Sequence, residues 1–399
     1  MSASAASRVQ AGPAPEAFGF ERQALRVLTL TPFYPSAEND FTGCFIRDPL
    51  LWTSRLKITN EVIAAKPFYR GRVHSAVSVI SSQWTNYFSV PGNQGLAMSG
   101  AFLAASLSRK VRRMHEDNAF DLIHAHGALP CGHAARSLSK SLSIPFVVSV
   151  HGLDAYSDRQ VSGVLGRHCR RIAEDVYRSA KAVVCVSEKV RERVGAGINS
   201  VVVYNAVDPE IFSPEPESSE RIILSVGNLI ATKDHATLIR AFANVARAIP
   251  TRILEIIGDG PERQVLTVLA AELGISSRVW FRGRQSRKET AAAMRRCTVF
   301  ALPSYYEGLG CVYLEAMACA KPVIGCKGQG ISELIEHGVN GFLSHRENET
   351  ALSDLLLVLL ENETLRWRVG ISARQAILQK HTLEHQAAQL AQLYLECVQ

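Results

Sequence analysis

The sequence predicts an α/β fold built from two parallel sheets, each of them covered by helices. Short β-branched runs alternate with longer amphipathic segments from Leu25 onward, which is typical of βαβ units. Several of these runs are apolar at every position, as strands buried on both faces are. The length of 399 residues fits two domains, and a composition of 47% apolar and 20% charged residues excludes disordered and collagen-like chains.

The strands are predicted in two groups, one in each half of the chain. In the first half we expect strands at 26–30, 61–64, 76–81, 122–125, 146–150, 182–186 and 201–204. In the second half we expect them at 222–226, 253–257, 279–281, 299–302 and 322–325. Because helical patterns separate the strands, each group is expected to form a parallel sheet of its own.

A segment rich in proline and glutamate separates the two groups. Residues 208–220 hold three prolines and four glutamates, a composition typical of a linker rather than of a core. The expected domains are therefore 24–207 and 221–381. Residues 382–399 are expected to form an amphipathic helix that must pack on another surface. Residues 1–23 lack a basic start followed by an apolar block, so we expect a disordered leader rather than a secretory signal.

Cysteine usage and charge indicate the cellular compartment of the protein and the charge of its partner. Nine cysteines form an odd number without a Cys-x-x-Cys pair, which argues against a disulfide scaffold or a structural zinc site. This usage predicts a reducing, cytoplasmic location. Residues 1–210 carry 24 Lys and Arg against 17 Asp and Glu, so the whole net charge of +7 lies in the first half. The asymmetry predicts an anionic partner for the N-terminal domain.

The anionic partner is expected to be a membrane surface, with peripheral contact at the inner face. Residues 101–113 are apolar and then strongly basic, as in an interfacial helix. The alternative is a helix that packs on the sheet and leaves its basic end solvated. No apolar run approaches the roughly 20 residues of a spanning helix. Nucleic acid is disfavoured because the basic residues lack interleaved aromatics or a recognisable binding motif.

Glycine-rich turns follow three of the predicted strands in the second half. They lie at residues 227–233, 258–261 and 328–330. In parallel sheets, ligands bind beyond the carboxyl ends of the strands, where helix N-termini present unpaired N–H groups to anions. Together the turns predict a phosphate-binding edge, at which Lys233 would stand in the first turn of a helix.

The most specific pattern runs from a strand through a glycine loop into a helix at 303–318. Glu307 is expected in the loop, and Glu315 about one turn into the helix that follows the loop. Because a carboxylate touching a diphosphate is repelled, both are expected to accept hydrogen bonds from sugar hydroxyls at opposite ends of an elongated ligand. The alternative is a loop glutamate together with a solvated helix glutamate.

Three histidines lie within or directly after predicted strands of the first half. His151 ends the apolar run 146–150 and is expected to face a cleft at the carboxyl edge of the sheet, with a structural role as the alternative. His124 and His126 share one face of a strand. Since no third ligand has suitable spacing, we interpret this pair as structural rather than metal-binding.

The pair of Glu307 and Glu315 resembles the Glu-x7-Glu signature of retaining GT-B glycosyltransferases, specifically glycosyltransferase family 4. Further matches follow the family's order at 42–45, 151–154, 186–188, 205–208, 227–233, 258–261 and 338–341. The resemblance implies two Rossmann-like domains that face a cleft, with the donor nucleotide held mainly by the second domain and the acceptor mainly by the first. It also implies that the C-terminal helix crosses back onto the N-terminal domain.

The resemblance assigns roles to individual positions. Lys233, Glu307 and His151 would serve catalysis, with Lys233 on the donor diphosphate and Glu315 on the ribose. The residues expected at the donor are Gly43, Asn228, Lys233, Phe281, Arg282, Gly283, Glu307, Gly308, Leu309, Gly310, Cys311 and Glu315. Asp154 is expected on the acceptor side. No metal site is expected.

The implied reaction moves a hexosyl unit from a nucleoside diphosphate sugar, expected to be UDP-linked, to an acceptor hydroxyl with retention of configuration. The acceptor would be a glycan, a lipid-linked molecule or a small molecule in cell-envelope or exopolysaccharide biosynthesis, and no cofactor is expected. Two alternatives are a nucleotide-sugar 2-epimerase and a catalytically silent nucleotide-sugar-binding protein. The second is suggested by Asn228, because the family usually has arginine there. Phosphate charge would then rest on Lys233, helix ends, or another basic residue such as Arg282 or Arg284.

Overall fold

A computed structural model describes residues 24–37, 42–71, 73, 79–91, 95–152, 154, 163–216 and 221–399. Its N-terminal part holds a seven-stranded sheet of order β3-β2-β1-β4-β5-β6-β7, in which every neighbouring pair is parallel. The strands are β1 (Leu25–Thr31), β2 (Ile58–Pro67), β3 (Ser81–Tyr87), β4 (Leu122–His126), β5 (Phe146–Val150), β6 (Ala182–Cys185) and β7 (Ser200–Val202). The helices of this part are α1 (Cys44–Ser54), α2 (Leu96–Asp117), α3 (His133–Leu142), α4 (Gly163–Ser179) and α5 (Glu188–Val194).

The C-terminal part holds a six-stranded parallel sheet of order β10-β9-β8-β11-β12-β13. Its strands are β8 (Ile222–Val226), β9 (Ile253–Ile257), β10 (Val279–Gly283), β11 (Val299–Ala301), β12 (Val323–Cys326) and β13 (Phe342–Ser344). The remaining helices are α6 (His235–Ala248), α7 (Arg263–Glu272), α8 (Arg287–Arg296), α9 (Cys311–Ala318), α10 (Glu349–Glu361), α11 (Glu363–Lys380) and α12 (Leu383–Val398).

Both sheets reverse their strand order at their first strand. β1 lies between β2 and β4, and β8 lies between β9 and β11. In open parallel sheets such a reversal leaves a crevice beyond the carboxyl ends of the strands, where ligands bind. The predicted fold class is confirmed, and residues of both domains line one cleft at this position.

The last helix, α12, crosses back onto the first sheet, as the resemblance implied. The backbone N–H of Leu383 donates to the carbonyl of Val207 at 3.1 Å, so the chain returns to the N-terminal domain at that point. Tyr394 is fully buried in a cluster with residues of β1, β4 and β5, and its hydroxyl is hydrogen-bonded to Nδ1 of His124 at 2.6 Å. The amphipathic face of this helix therefore finds its partner in the N-terminal domain.

Helix α2 contains the segment that the sequence suggested as an interfacial helix. Leu103, Leu107 and Val111 are fully buried in the core beneath the sheet. The basic residues near its end are exposed: Arg109, Lys110, Arg112 and Arg113. Because the apolar face is already covered, the interfacial-helix hypothesis is wrong for this segment, and the alternative of a packed helix with a solvated basic end applies.

Two strands, β3 and β13, differ most from the sequence expectation, and β2 is longer than predicted, at Ile58–Pro67 instead of 61–64. The strand predicted at 76–81 is displaced to Ser81–Tyr87, and residues 74–78 lie outside the described ranges. Its polar sequence SSQWTNY suits a half-exposed edge strand. A search for apolar runs does not detect such a strand. The three-residue edge strand β13 was not predicted. Within the predicted linker, Phe212 is fully buried, so this segment adds a core side chain, while 217–220 and the expected leader 1–23 lie outside the described residues.

No helix of the described ranges combines the length and the apolarity needed to cross a membrane.

Candidate functional site

A cavity of about 390 Å³, called the cleft cavity, lies between the two domains. Cys44 and Phe45 of α1 face it from the N-terminal side, and residues after β8, β9 and β11 face it from the C-terminal side. Many of the residues singled out in the sequence line it, namely His151, Asn228, Lys233, Glu307, Leu309, Gly310, Cys311 and Glu315. The structure therefore brings the three residues expected to serve catalysis, and most of the expected donor residues, to one place.

Lys233 and Glu307 form an ion pair in the wall of the cleft cavity. Lys233 ends a short 3₁₀ turn after β8. Asp234 then takes a left-handed conformation (φ 54°) and caps α6 by accepting from the N–H of Thr237. The ammonium has three donors and this pair uses one, so Lys233 can still bind an anion that enters the cavity.

The glycine loop between Glu307 and α9 brings backbone close to both domains. Gly310 has φ +85°, which favours glycine, and it begins α9 without a side-chain cap. The first amides of α9 therefore lack intrahelical acceptors beside the cavity. At Gly308, an added Cβ would stand 3.0 Å from the carbonyl carbon of His151 and closer still to its oxygen. The loop thus combines a helix start whose first amides are free with a tight interdomain contact.

Glu315 lies one turn into α9 and faces the cleft cavity. Burial raises the pKa of its carboxyl to about 7, while Arg287 lowers it and Asp48 raises it. Arg287 begins α8 and forms an ion pair with Asp48 of α1, which joins the two domains beside Glu315. The raised pKa makes the charge of Glu315 sensitive to pH near neutrality.

The histidines form a stacked row under the N-terminal side of the cleft. Nε2 of His151 is hydrogen-bonded to Nδ1 of His126 at 3.0 Å. His124 contacts Oγ of Ser149 at 2.7 Å as well as Tyr394, so its structural interpretation is confirmed. Burial lowers the pKa of His151 to about 4, and therefore the ring is neutral at pH 7. Within the described residues, no group of three or more His, Cys, Asp or Glu is arranged to hold a metal ion.

Several expected donor residues lie outside the lining of the cleft cavity. Arg282 pairs with Glu255 at 3.6 Å and lies over the ring of Trp280, facing a separate cavity of about 320 Å³. Arg282 is therefore not available as the second cation, whereas Arg284 lines the cleft. Gly43, Gly283 and Gly308 are each next in the chain to a lining residue but do not line the cavity themselves, and Phe281, opposite Ile256 in the sheet, also lies outside the lining.

A second cavity, called the N-terminal cavity, has a volume of about 1040 Å³. Asp154 lines it, and Oδ1 of Asp154 accepts the N–H groups of His151 and Gly152 at 2.8 Å each. Burial raises the pKa of Asp154 to about 6, and its backbone hydrogen bonds partly offset that rise. Asn228 and Arg284 line both cavities, so the two spaces meet at these side chains.

Some cleft residues were missed in the sequence. Arg287, Gln285 and Thr290 line the cleft cavity from the start of α8, and Asn205 lines it from the N-terminal side. The match at 205–208 to the family pattern predicts no role for Asn205. For Arg287, the sequence signal was its place directly after Ser286, which caps α8 together with Glu289.

A carboxylate of the C-terminal domain caps a helix of the N-terminal domain. Glu333 accepts the N–H groups of Glu188 and Lys189 at 2.8 Å each, and the hydroxyl of Tyr204 at 3.0 Å. These amides begin α5, and at the same end of the helix the N-cap Ser187 accepts the N–H of Val190. The contact therefore stabilises the closed arrangement of the domains.

We expect Glu333→Ala to loosen this closure. Loss of a helix cap typically costs about 1 kcal/mol, so the amides of Glu188 and Lys189 should exchange hydrogen about fivefold faster. Hydrogen exchange measured by mass spectrometry checks this, with Glu336→Ala as the matched control on the neighbouring surface. Unchanged exchange in Glu333→Ala would show that the cap does not hold the domains together.

Comparison with known families places these features in context. The description "Glycosyl transferases group 1" matches residues 207–376, and "Glycosyltransferase Family 4" matches residues 62–211. An uncharacterized glycosyltransferase of Methanocaldococcus jannaschii is 30% identical over 262 residues, which are 65% of this chain and 71% of that protein. The N-acetyl-alpha-D-glucosaminyl L-malate synthase of Bacillus anthracis is 27% identical over 307 residues, which are 73% of this chain and 78% of that protein.

Solved structures share the fold over nearly the whole chain. Sucrose-phosphate synthase from Thermosynechococcus elongatus superposes with a TM-score of 0.79 at 19% identity, covering 93% of this chain and 98% of that one. HepE from Anabaena, in complex with UDP and glucose, superposes with a TM-score of 0.73 at 22% identity, covering 92% and 99%. At these identities the likeness establishes the two-domain fold.

Proposed function

Because this chain belongs to glycosyltransferase family 4, the glycosyl transferases group 1, we propose that it transfers a hexosyl unit from a UDP-sugar to an acceptor hydroxyl with retention of configuration. The observation that carries this proposal is the grouping of Lys233, the start of α9 and the two glutamates around one interdomain cavity. A cation and free amides suit a diphosphate, and carboxylates suit the hydroxyls on either side of it.

The charged and hydrogen-bonding groups around the cleft cavity suggest one orientation for the donor. We propose that the diphosphate binds Lys233 and the first amides of α9, where a helix end favours negative charge. Glu315 would then accept the ribose hydroxyls, and Glu307 would accept a hydroxyl of the transferred sugar. The choice of uridine is supported by HepE, which has the same fold and was solved with UDP and with UDP-glucose.

Catalysis is proposed to be electrostatic. As the bond from sugar to phosphate breaks, negative charge grows on the leaving diphosphate, and Lys233 with the amides of α9 stabilises it. The acceptor hydroxyl attacks from the same face and passes its proton to the departing phosphate oxygen. His151, neutral because burial lowers its pKa, has Nδ1 without a partner among the described residues and can contact a sugar hydroxyl.

Charge neutralisation without a metal ion is part of the proposal. Lys233 and the amides of α9 would take the role that a divalent cation has in other transferases, and Arg284 offers a further cation in place of an arginine at Asn228. We therefore expect turnover to persist in excess EDTA. Loss of turnover that is restored by a divalent ion would contradict this assignment.

The pH dependence of donor binding follows from Glu315. Above its pKa of about 7 the carboxylate accepts both ribose hydroxyls, and below it the donor must displace a proton. The Kd for UDP-glucose should therefore rise about tenfold between pH 8 and pH 6. Calorimetry at constant ionic strength checks this, because the diphosphate diester does not itself titrate in that range.

Glu315→Gln is the matched control for the pH experiment. It should bind UDP-glucose more weakly at pH 8, because one acceptor oxygen is lost, and its Kd should change little between pH 8 and pH 6. An equal pH dependence in wild type and Glu315→Gln would refute the role of Glu315.

Product analysis tests the function as a whole. UDP-glucose, UDP-galactose, UDP-N-acetylglucosamine and GDP-mannose are incubated with the protein, with and without candidate acceptors. Transfer to an acceptor with retained configuration is the expected result. Conversion of the donor alone would indicate a 2-epimerase, and binding without any turnover would indicate the silent protein that Asn228 suggests.

The cellular role is proposed at the level of chemistry. We propose that the acceptor belongs to cell-envelope or exopolysaccharide assembly, which is supported by similarity to a putative teichuronic acid biosynthesis glycosyltransferase of Bacillus subtilis, 26% identical over 339 residues. The glycosyl transfer would take place in the cytoplasm, at or near the inner face of the membrane. The exposed basic residues of α2 provide a charge that suits anionic lipid.

A further inference from the structure

Aromatic side chains are exposed together at the carboxyl edge of β2 and β3. The rings of Phe68 and Phe88 stack with centroids 5.6 Å apart, and Phe102 of α2 meets Phe88 edge to face at 5.0 Å. Phe68 is 53% exposed and Phe88 is 55% exposed. Exposed apolar patches of this kind commonly mark binding surfaces. The ring of Tyr69 has its centroid 6.1 Å from that of Phe68. Phe68, Tyr69, Phe88 and Phe102 together form a continuous surface that we call the aromatic rim.

The aromatic rim is continuous with the N-terminal cavity. Tyr69 belongs to both, because it contacts Phe68 and also lines the cavity. β2 and β3 pair in parallel with Pro67 opposite Tyr87, so the two phenylalanines that follow them stand side by side at the edge that faces the cleft. A ligand that occupies the N-terminal cavity can therefore extend from it over the aromatic rim.

The described lining of the N-terminal cavity carries more positive than negative side chains. Lys66, Arg70 and Arg284 line it, and none of them forms an ion pair with a carboxylate of the described residues. Asp154 is the one carboxylate in the described lining, and its Oδ1 is occupied by two backbone N–H groups. The indole N–H of Trp84, also in the lining, has no hydrogen-bond partner among the described residues. Among the described lining residues, three cations stand against one carboxylate, and this balance favours an anionic ligand.

We propose that the acceptor is an anionic amphiphile: a saccharide with a negatively charged group in the N-terminal cavity and an apolar chain across the aromatic rim. The inference rests on the proposed function, because it names the acceptor class of that same reaction. A neutral sugar would leave Lys66 and Arg70 without a counter-charge, and a small hydrophilic anion would leave the rim in water. One ligand with both parts satisfies both surfaces.

The arrangement also connects this acceptor to the donor. Asn228 and Arg284 line the N-terminal cavity and the cleft cavity alike, so a hydroxyl of the bound saccharide can reach the donor at that shared wall. The chain of the amphiphile then points away from the reacting atoms. Elongation of a lipid-linked saccharide needs this polarity, with the sugar inward and the lipid outward.

The test compares four glycosides that vary charge and chain independently. Octyl glucuronide, octyl glucoside, methyl glucuronide and methyl glucoside are titrated calorimetrically, below their micellar concentrations, into the full chain saturated with UDP. We expect octyl glucuronide to bind about tenfold more tightly than octyl glucoside or methyl glucuronide, since each of these lacks one of its two interactions. Binding is read without turnover, and UDP affinity is measured in the same preparation.

Two variants assign the interactions to their surfaces. Arg70→Gln should remove most of the preference for the glucuronide, and Phe88→Ser should remove most of the preference for the octyl chain. Lys66→Gln and Phe68→Ser repeat the two comparisons at second positions, in case a first variant fails to fold. All four should bind UDP as the wild type does.

Matched controls carry the same changes elsewhere on the surface. Arg109→Gln on α2 and Val265→Ser on α7 alter an exposed cation and an exposed apolar side chain that lie outside the lining of both cavities. Both controls should retain the wild-type preference for octyl glucuronide.

Four results would overturn the inference. Equal affinity for octyl and methyl glucuronide would indicate a small anionic acceptor, and equal affinity for octyl glucuronide and glucoside would indicate a neutral lipid. Binding to vesicles of any headgroup, without binding of the monomeric glycosides, would indicate a membrane-docking surface instead. Absence of both kinds of binding would show that the aromatic rim and the cavity take no amphiphile. Failure of UDP to bind would instead refute the proposed function, whereas the glycoside comparison can be read without it.

Discussion

Lys233→Ala is expected to lower kcat by about 10²-fold to 10³-fold, equivalent to about 3 kcal/mol of transition-state stabilisation. Three cations line the cleft cavity in the described part of the chain, namely Lys233, Arg284 and Arg287. Arg287 is already paired with Asp48, and Lys233 stands beside the glycine loop through its pair with Glu307. Removal of Lys233 would therefore leave the departing diphosphate with much less positive charge.

The loss should be catalytic and not structural. Lys233 and Glu307 are each about one-sixth exposed (17% and 16%), so water can solvate the glutamate that the variant leaves behind. The melting temperature should therefore shift by no more than about 4 °C. Lys140→Ala on α3 is the matched surface control and should keep wild-type kcat. A Lys233→Ala enzyme within threefold of wild-type kcat would contradict the assigned role.

Gly308→Ala is expected to reduce kcat/KM by about 10²-fold, because the added methyl group separates the domains. Its Cβ would stand 3.0 Å from the carbonyl carbon of His151, which belongs to the opposite domain. The hydroxyl of Ser187 also donates to the carbonyl of Gly308 at 2.7 Å, so the loop has little room to retreat. A displacement of roughly 1 Å at this contact would misplace donor and acceptor relative to each other.

The control for Gly308→Ala carries the same methyl group into open space. At Gly274, no heavy atom of the described residues other than those of its chain neighbours lies within 4 Å of an added Cβ, although its φ of +70° is unfavourable for alanine. Gly274→Ala should therefore lose stability by about 1 kcal/mol while it retains kcat/KM. Small-angle scattering should show a larger radius of gyration for Gly308→Ala only. Wild-type kcat/KM in Gly308→Ala would show that the closed contact is not needed for turnover.

The central strands of both sheets could be predicted from the sequence because their environment is uniform. β5, β8 and β9 have the predicted bounds, since strands buried on both faces are apolar at every position. The edge strands β3 and β13 could not be predicted in the same way. β3 is half-exposed and carries polar residues instead of a continuous apolar run, and β13 has only three residues, too few for a pattern to be recognised.

Some residues of the candidate site could also be predicted from the sequence, and others could not. Glu307 and Glu315 could be identified because they flank one contiguous loop, and parallel strands bring such loops to a common edge. The pair of Asp48 and Arg287 joins residues 239 positions apart, and the Glu333 cap joins helices of different domains. These contacts depend on how the domains close, which no local pattern encodes.

The choice between Arg282 and Arg284 shows a second limit. The register of β10 against β9 shifts between Phe281 and Gly283, and Gly283 has φ +69°. Simple alternation of side chains fails at such an irregularity. As a result Arg282 faces Glu255, and Arg284 faces the cleft.

A crystal structure of the protein with UDP tests the central claim most directly. We predict the diphosphate within hydrogen-bonding distance of the Lys233 ammonium and of the first backbone amides of α9, with the ribose hydroxyls on the carboxylate of Glu315. UDP bound elsewhere, with the cleft cavity empty, would contradict the assignment of this cavity as the nucleotide-sugar site.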